Sequence, residues 1–87
     1  MLDKAEDDLK KLRARFRKPI LDAIRHLEYT ADIESKNCHP LSRDYAPYWE
    51  LRIGPHRAYY KYDEELVLVD SVRYKGRKTT DEVFKKP

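Results

Sequence analysis

The chain has 87 residues, with 19 Lys and Arg side chains against 16 Asp and Glu, so its formal net charge at pH 7 is +3. We expect one domain over residues 1–87, because this length supports a single small hydrophobic core. The lone cysteine, Cys38, excludes an intramolecular disulfide and favours a reducing, cytoplasmic compartment. No apolar run is long enough to cross a membrane, so no membrane partner is expected.

Two amphipathic helices are predicted at the start of the chain. The first has apolar residues at spacings of three and four, which is typical of one buried helical face: Leu2, Ala5, Leu9, Leu12 and Phe16. Pro19 suits the first turn of a second helix, because its fixed φ is compatible with that position. The second stripe continues through Ile20, Ile24 and Leu27. A short link between them predicts an antiparallel helical hairpin.

The middle of the chain changes from helical to strand periodicity. Residues 30–46 show no periodicity and contain turn residues, so we predict a long surface connection there. Three strands of an antiparallel meander follow, at about Tyr48–Ile53, His56–Tyr62 and Leu66–Arg73, with Gly54-Pro55 as the first turn. Helices that precede an antiparallel sheet predict an α+β fold, in which a helical hairpin packs on three strands.

The end of the chain carries a helix-start signal. Thr79-Thr80-Asp81-Glu82 matches a capping box, in which the hydroxyl and the carboxylate each satisfy a backbone N–H of the first turn. We therefore expect a short helix or a tail at the carboxyl terminus.

The order of these elements resembles the RelE/ParE superfamily of type II toxins. The resemblance rests on the two helices, on "WELRIG" at 49–54 and "HRAYY" at 56–60, on the acidic turn at 63–65, and on "LVLVDSVRYKGRK" at 66–78. Members usually have a first β-strand before the helical hairpin, and this chain shows none. Either the sequence is shortened at its start or the protein lacks this strand. If the strand is absent, we expect an exposed backbone edge on the sheet, open to a homodimer or to strand pairing with a partner.

The same resemblance implies a toxin function with several possible targets. RelE-like members are ribosome-dependent mRNA endoribonucleases that inhibit translation, whereas ParE-like members inhibit DNA gyrase without acting as enzymes. A third reading is an attenuated toxin that works as an antitoxin-bound transcriptional co-repressor. The implied partners are a cognate antitoxin, mRNA on the ribosome, and operator DNA bound through the antitoxin. No cofactor is expected, and no metal site either, because the His and Cys positions lack ligand-like spacing.

For the endoribonuclease, the resemblance points to three catalytic arginines: Arg57, Arg77 and Arg52. Arg57 matches the arginine after the hairpin turn, and Arg77 the one after the last strand. Arg52 keeps one of two family cations on the preceding strand, whereas Glu50 reverses the charge of the other. The predicted RNA-binding residues are cationic or aromatic: Arg73, Lys75, Lys78, Tyr59 and Lys61.

The sequence also allows purely structural roles for these residues. Arg57 can be a solvated strand residue paired with a nearby acid, and Glu50 can pair with Arg52 across the sheet. The cations from Arg73 to Lys78 can form a solvated tail. Phe84 aligns with a terminal catalytic tyrosine of the ribonuclease branch and has no hydroxyl, so His56 or Tyr74 would have to replace it.

Overall fold

A computed structural model describes residues 1–84 and confirms the α+β fold. Its elements in chain order are α1 (Asp3–Lys10), α2 (Ala14–Thr30), β1 (Cys38–Pro40), a 3-10 turn (Arg43–Tyr45), β2 (Trp49–Ile53), β3 (His56–Tyr62), β4 (Val67–Tyr74) and α3 (Thr80–Val83). None of the helices in residues 1–84 is long and apolar enough to cross a membrane.

The four strands form one antiparallel sheet in the order β1-β2-β3-β4. The three predicted strands are confirmed, and Gly54 adopts the positive φ (57°) that the first position of the tight β2–β3 turn requires. The predicted surface connection is wrong in part, because it contains β1. Three residues without alternation gave no strand signal; pairing with β2, as in Cys38↔Leu51, defines this edge strand.

The first helix ends earlier than its apolar stripe predicts. α1 stops at Lys10, and α2 begins at Ala14, five residues before Pro19, so the predicted helix boundary was wrong. Arg17 stabilises the break, because its guanidinium donates to the carbonyl oxygen of Leu9 (3.1 Å), which also accepts the N–H of Leu12, and to the carbonyl oxygen of Leu12 beyond the helix end. Such a long side-chain cap leaves no local signal in the sequence.

The inner face of the sheet holds the main core. α1 packs along β4, and α2 crosses β2 and β4. The buried residues of this core are mostly apolar: Ala5, Leu9, Ile20, Leu27, Ala31, Cys38, Leu51, Ala58, Tyr60, Val69 and Val72. The two helical stripes and alternate residues of the strands meet here, as the periodicity predicts.

The free edge of β4 is partly occupied by the start of the chain. Leu2 is extended and donates its N–H to the carbonyl oxygen of Val69 (3.0 Å), and the Asp8 carboxylate accepts the N–H of Val72 (2.9 Å). These contacts take two of the backbone groups that an absent first strand was expected to leave open. Pairing with another chain at this edge stays a prediction, and fewer backbone groups of β4 are open to it.

The outer face is covered by the carboxyl-terminal segment. Phe84 is 1% exposed and stacks on Tyr59, with ring centroids 4.5 Å apart, and it also packs against Tyr48 at 5.1 Å. The predicted terminal helix is confirmed as α3. The capping box is not formed as expected, because the Thr79 hydroxyl donates to the Glu82 carboxylate (3.3 Å) and no side chain caps the first turn.

Candidate functional site

Three arginines stand side by side on the outer face of the sheet. Arg52 on β2 is directly opposite Arg57 on β3, and Arg57 is directly opposite Arg73 on β4. Like charges in facing positions are destabilising unless other groups compensate them. An acid does so for two of the three, because Arg57 pairs with Glu50 and Arg73 forms a salt bridge with Asp8. A row of this kind is a natural surface for an anionic ligand.

Glu50 is the centre of the site, and three cationic or titratable groups converge on its carboxylate. Arg57 Nε lies 3.6 Å and His39 Nε2 3.5 Å from Oε1, and Lys75 Nζ lies 3.8 Å from Oε2. We call these four residues the Glu50 cluster. They come from β1, β2, β3 and the end of β4, so only the folded sheet assembles them.

Two members of the Glu50 cluster, Glu50 and Arg57, are buried at a cost in free energy. Glu50 and Arg57 are each 4% exposed. Arg57 Nη1 donates to the carbonyl oxygens of Gly54 and His56, both at 2.8 Å, but Glu50 Oε2 and Arg57 Nε have no hydrogen-bond partner. Buried charges without complete hydrogen bonding are expensive, and they concentrate at functional sites. The cluster is therefore the strongest candidate for a functional site among the described residues.

The predicted catalytic arginines differ in accessibility. Arg57 lies in the cluster, where it is neither solvated nor paired with the acidic turn. Arg52 is exposed at the end of the arginine row. Arg77 is exposed beyond β4, after Gly76, and the structure does not bring it into contact with the cluster. The geometry thus places one predicted arginine inside the site and one at its rim.

The predicted RNA-binding cations lie around the same site. Lys75 belongs to the cluster, with 19% of its side chain exposed, and Arg73 is half-buried against Asp8. Lys78 is exposed, and Lys61 lies over the Tyr48 ring, 5.6 Å from its centroid. The exposed cations among the predicted site residues are therefore Arg52, Arg77 and Lys78.

Tyr59 occupies a different environment from the one its predicted role needs. It is fully buried beneath Phe84, so a base can reach its ring only if Phe84 moves. Burial and the nearby Glu50 carboxylate raise the pKa of its phenol well above the usual range. Its hydroxyl lies near that carboxylate but makes no hydrogen bond of ordinary geometry, and the hydroxyl of Ser71, directly opposite on β4, has no partner.

The suggested replacements for a terminal tyrosine lie on the other face of the sheet. His56 packs between the rings of Phe16 (5.3 Å) and Tyr74 (5.5 Å), on the side that carries the helices. Burial, together with the neighbouring Arg57 charge, lowers the pKa of His56. Neither His56 nor Tyr74 joins the Glu50 cluster.

His39 and Glu50 were not predicted as site residues. Sequence reasoning treated Glu50 as a departure from the family pattern and His39 as part of a loop. Their pairing follows from the register of β1 on β2, which places His39 directly opposite Glu50. The signal in the sequence was Glu50 itself, an acid on the same face of the predicted strand as the cation Arg52. No group of three His, Cys, Asp or Glu side chains within residues 1–84 could hold a metal ion.

Comparison with known families gives one match. The model of a family described as "ParE toxin of type II toxin-antitoxin system, parDE" matches residues 1–79. A search of curated proteins found no match. The matched range includes both main helices, the whole sheet and all four residues of the Glu50 cluster.

Proposed function

The chain belongs to the ParE toxin family of type II toxin–antitoxin systems, and from this premise we propose that it is an endoribonuclease that cleaves mRNA on the ribosome. Membership of this family implies a cognate antitoxin as its partner. The RNA target is the finer step, and it rests on the chemistry of the outer face of the sheet.

The observation that carries this proposal is the convergence of a carboxylate, an imidazole, a guanidinium and an ammonium group in the Glu50 cluster. Cleavage of RNA by its own 2′-hydroxyl needs a general base, a general acid and positive charge beside the phosphorane. Glu50 supplies the base, His39 the acid, and Arg57 with Lys75 the positive charge. The exposed Arg52 and Arg77 bind the flanking phosphates.

In this reaction the atoms and protons balance without another reagent. Glu50 takes the proton of the 2′-hydroxyl as that oxygen attacks the adjacent phosphorus. The bond from phosphorus to the 5′-oxygen breaks, and His39, protonated at the start, gives its proton to that oxygen. Arg57 stabilises the negative charge that grows on the phosphorane oxygens. The products are a 2′,3′-cyclic phosphate and a 5′-hydroxyl.

The phosphate needs room between the acid and the base. His39 is the group that provides it, because its side chain is 45% exposed on the edge strand β1. Apart from Glu50, its ring contacts only the carbonyl oxygen of Pro40 among the described hydrogen bonds, at 3.3 Å. A rotation of His39 towards solvent opens the carboxylate and leaves Arg57 in place.

The test is primer extension on translated mRNA with the purified chain, two variants of the Glu50 cluster and one control variant. Glu50→Gln removes the base and is expected to lower cleavage by about 10²–10⁴-fold. Arg57→Ala is expected to lose activity as well, and Glu6→Gln, an exposed change on α1, keeps full activity. Absence of cleavage by the unaltered chain at saturating protein would defeat the enzyme proposal.

A second candidate function is inhibition of DNA gyrase by binding alone. It is favoured by the small exposure of Glu50 and Arg57, and by the pairing of these two charges with each other. A supercoiling assay on the same protein separates the two: a gyrase inhibitor reduces supercoiling without cutting mRNA, and Glu50→Gln leaves that inhibition intact. If neither activity is present, the co-repressor role remains, and binding of antitoxin and operator DNA tests it.

A further inference from the structure

A second surface of the molecule, unrelated to the Glu50 cluster, is an open groove of about 810 Å³. It lies between the carboxyl-terminal half of α2 and the β3–β4 turn, and it shares no lining residue with the cluster. Its floor includes Ile24, Ala31, Val67 and Val69. We call it the α2–turn groove.

Large apolar side chains stand exposed along this groove. Tyr29 is 73% exposed, Leu66 60%, Met1 40% and Tyr62 38%. Four such residues around one groove form the kind of contiguous apolar patch that marks an interaction site on a soluble protein. Side chains this exposed stand above the floor, so they suit a partner that lies across the surface better than an enclosed small molecule.

The rim of the groove is strongly acidic. Five carboxylates line it: Glu28, Asp32, Asp63, Glu64 and Glu65. Arg25 is the cationic side chain of the lining, and it already pairs with Asp22 at 3.8 Å. None of the five rim carboxylates forms a salt bridge with any residue in 1–84.

This local charge is opposite to that of the whole chain, which is +3. Part of the acid is used locally, because Asp63 Oδ1 accepts the N–H groups of Glu65 (2.8 Å) and Leu66 (2.9 Å) and so fixes the turn. The turn is therefore held in a form that presents Glu64, Glu65 and Leu66 to solvent. An apolar groove whose acidic rim is fixed and not paired with cations selects its partner by charge.

We propose that the α2–turn groove is a docking site for a basic amphipathic segment of a partner protein, whose apolar side pairs with Tyr29 and Leu66 and whose Lys and Arg side chains meet the acidic rim. An anionic ligand of the kind that suits the arginine row is repelled by this acidic rim. The chain thus presents two surfaces of opposite charge preference, and this inference does not depend on whether the protein cuts RNA.

The test uses a pair of synthetic helical peptides of about 18 residues, which span about 27 Å as helices, against molecular extents of 31 × 27 × 26 Å. Both peptides carry leucines at the same helical spacing. All remaining positions are Lys in one peptide and Glu in the other. Fluorescence anisotropy measures their binding to the full chain. Since the net charge alone favours the Glu peptide, preference for the Lys peptide reports the groove.

Three variants locate the binding. Glu64→Lys/Glu65→Lys and Tyr29→Ser are each expected to weaken the Lys peptide about tenfold, because they reverse the rim and remove an apolar contact. Asp44→Lys makes the same kind of charge change on the 3-10 turn, outside the groove, and leaves binding unchanged. All four positions are exposed, and circular dichroism checks that the variants fold.

Four results would overturn the proposal. These are equal or tighter binding of the Glu peptide, no binding of the Lys peptide at millimolar concentration, an equal loss in Asp44→Lys, or a dimer in sedimentation that Tyr29→Ser dissociates. The last result would assign the groove to a second copy of the chain.

Discussion

The two faces of the sheet bury neighbouring tyrosines in opposite ways. Tyr60, on the helix side, is fully buried, donates its hydroxyl to the carbonyl oxygen of Ala31 at 2.8 Å, and contacts Cys38 Sγ at 2.9 Å. Tyr59, on the outer side, is equally buried, yet its hydroxyl makes no hydrogen bond of ordinary geometry and has only the Glu50 carboxylate nearby. Burial raises the pKa of both phenols, with Cys38 adding to the effect on Tyr60 and Glu50 to that on Tyr59.

This contrast separates stability from function. The inner face buries apolar surface and pairs the Tyr60 hydroxyl, which is how a small domain gains stability. Next to α1, the buried Asp70 Oδ2 is an exception, because it makes no hydrogen bond and has only Lys4 Nζ at 3.9 Å. The outer face leaves polar atoms of Glu50, Arg57, Tyr59 and Ser71 without hydrogen bonds. A chain of 87 residues has little stability to spare. The outer arrangement is therefore best explained by what it binds.

The largest expected effect on stability lies on the inner face. Leu27→Ala removes a side chain that is 1% exposed, and we expect it to lower the free energy of unfolding by about 2–5 kcal/mol, through lost burial and a cavity. Urea denaturation measures this. Leu66→Ala, at a position 60% exposed, changes stability by less than about 0.5 kcal/mol. Equal losses in the two variants would contradict the placement of the core.

A matched pair of tyrosine changes sharpens the comparison. Tyr60→Phe leaves the Ala31 carbonyl without its buried donor, and the expected cost is about 1–3 kcal/mol. Tyr59→Phe removes a buried hydroxyl that makes no hydrogen bond of ordinary geometry, so we expect no loss, or a small gain, in the free energy of unfolding. Urea midpoints of the two variants decide the matter; a larger loss for Tyr59→Phe would show that the outer hydroxyl is satisfied after all.

The smallest expected effect is a pH dependence at His56. Its pKa is lowered from 6.5 in the native state by burial and by Arg57, so the unfolded chain binds the proton more readily. Stability is therefore full above pH 6.5 and falls as the pH drops below it towards the native pKa. In the His56→Gln variant, we expect the free energy of unfolding to depend less on pH than in the unaltered protein. In the variant of the exposed His26, His26→Gln, we expect the same pH dependence as in the unaltered protein. An unchanged slope in His56→Gln would exclude this assignment.

Much of the inner face is predictable from sequence. Alternation of Trp49, Leu51 and Ile53 and the Gly54-Pro55 turn define the hairpin, because a half-buried strand repeats every two residues. The boundary of α1 was missed because Arg17 caps it from the next helix. Local patterns do not record a contact of that range.

The outer face is predictable only in part. Alternation correctly places Arg57 and Tyr59 on one face of the sheet and Ala58 and Tyr60 on the other. It also predicts, however, that the residues of the outer face are exposed to solvent. Tyr59 is buried instead, because the end of the chain folds back over the sheet and Phe84 stacks on its ring. Likewise, no spacing in the sequence brings His39, Glu50 and Lys75 together; the register of β1 and the reach of Lys75 do so.

The central claim is that the Glu50 cluster is kept for function rather than for stability. The most direct test is the double variant Glu50→Leu/Arg57→Met, which replaces the buried pair with apolar side chains. Such a replacement is often neutral or stabilising by about 1–4 kcal/mol, so we predict that the variant unfolds at an equal or higher urea concentration. Growth arrest on expression without antitoxin should disappear. A variant that fails to fold, or one that still arrests growth, would contradict the account.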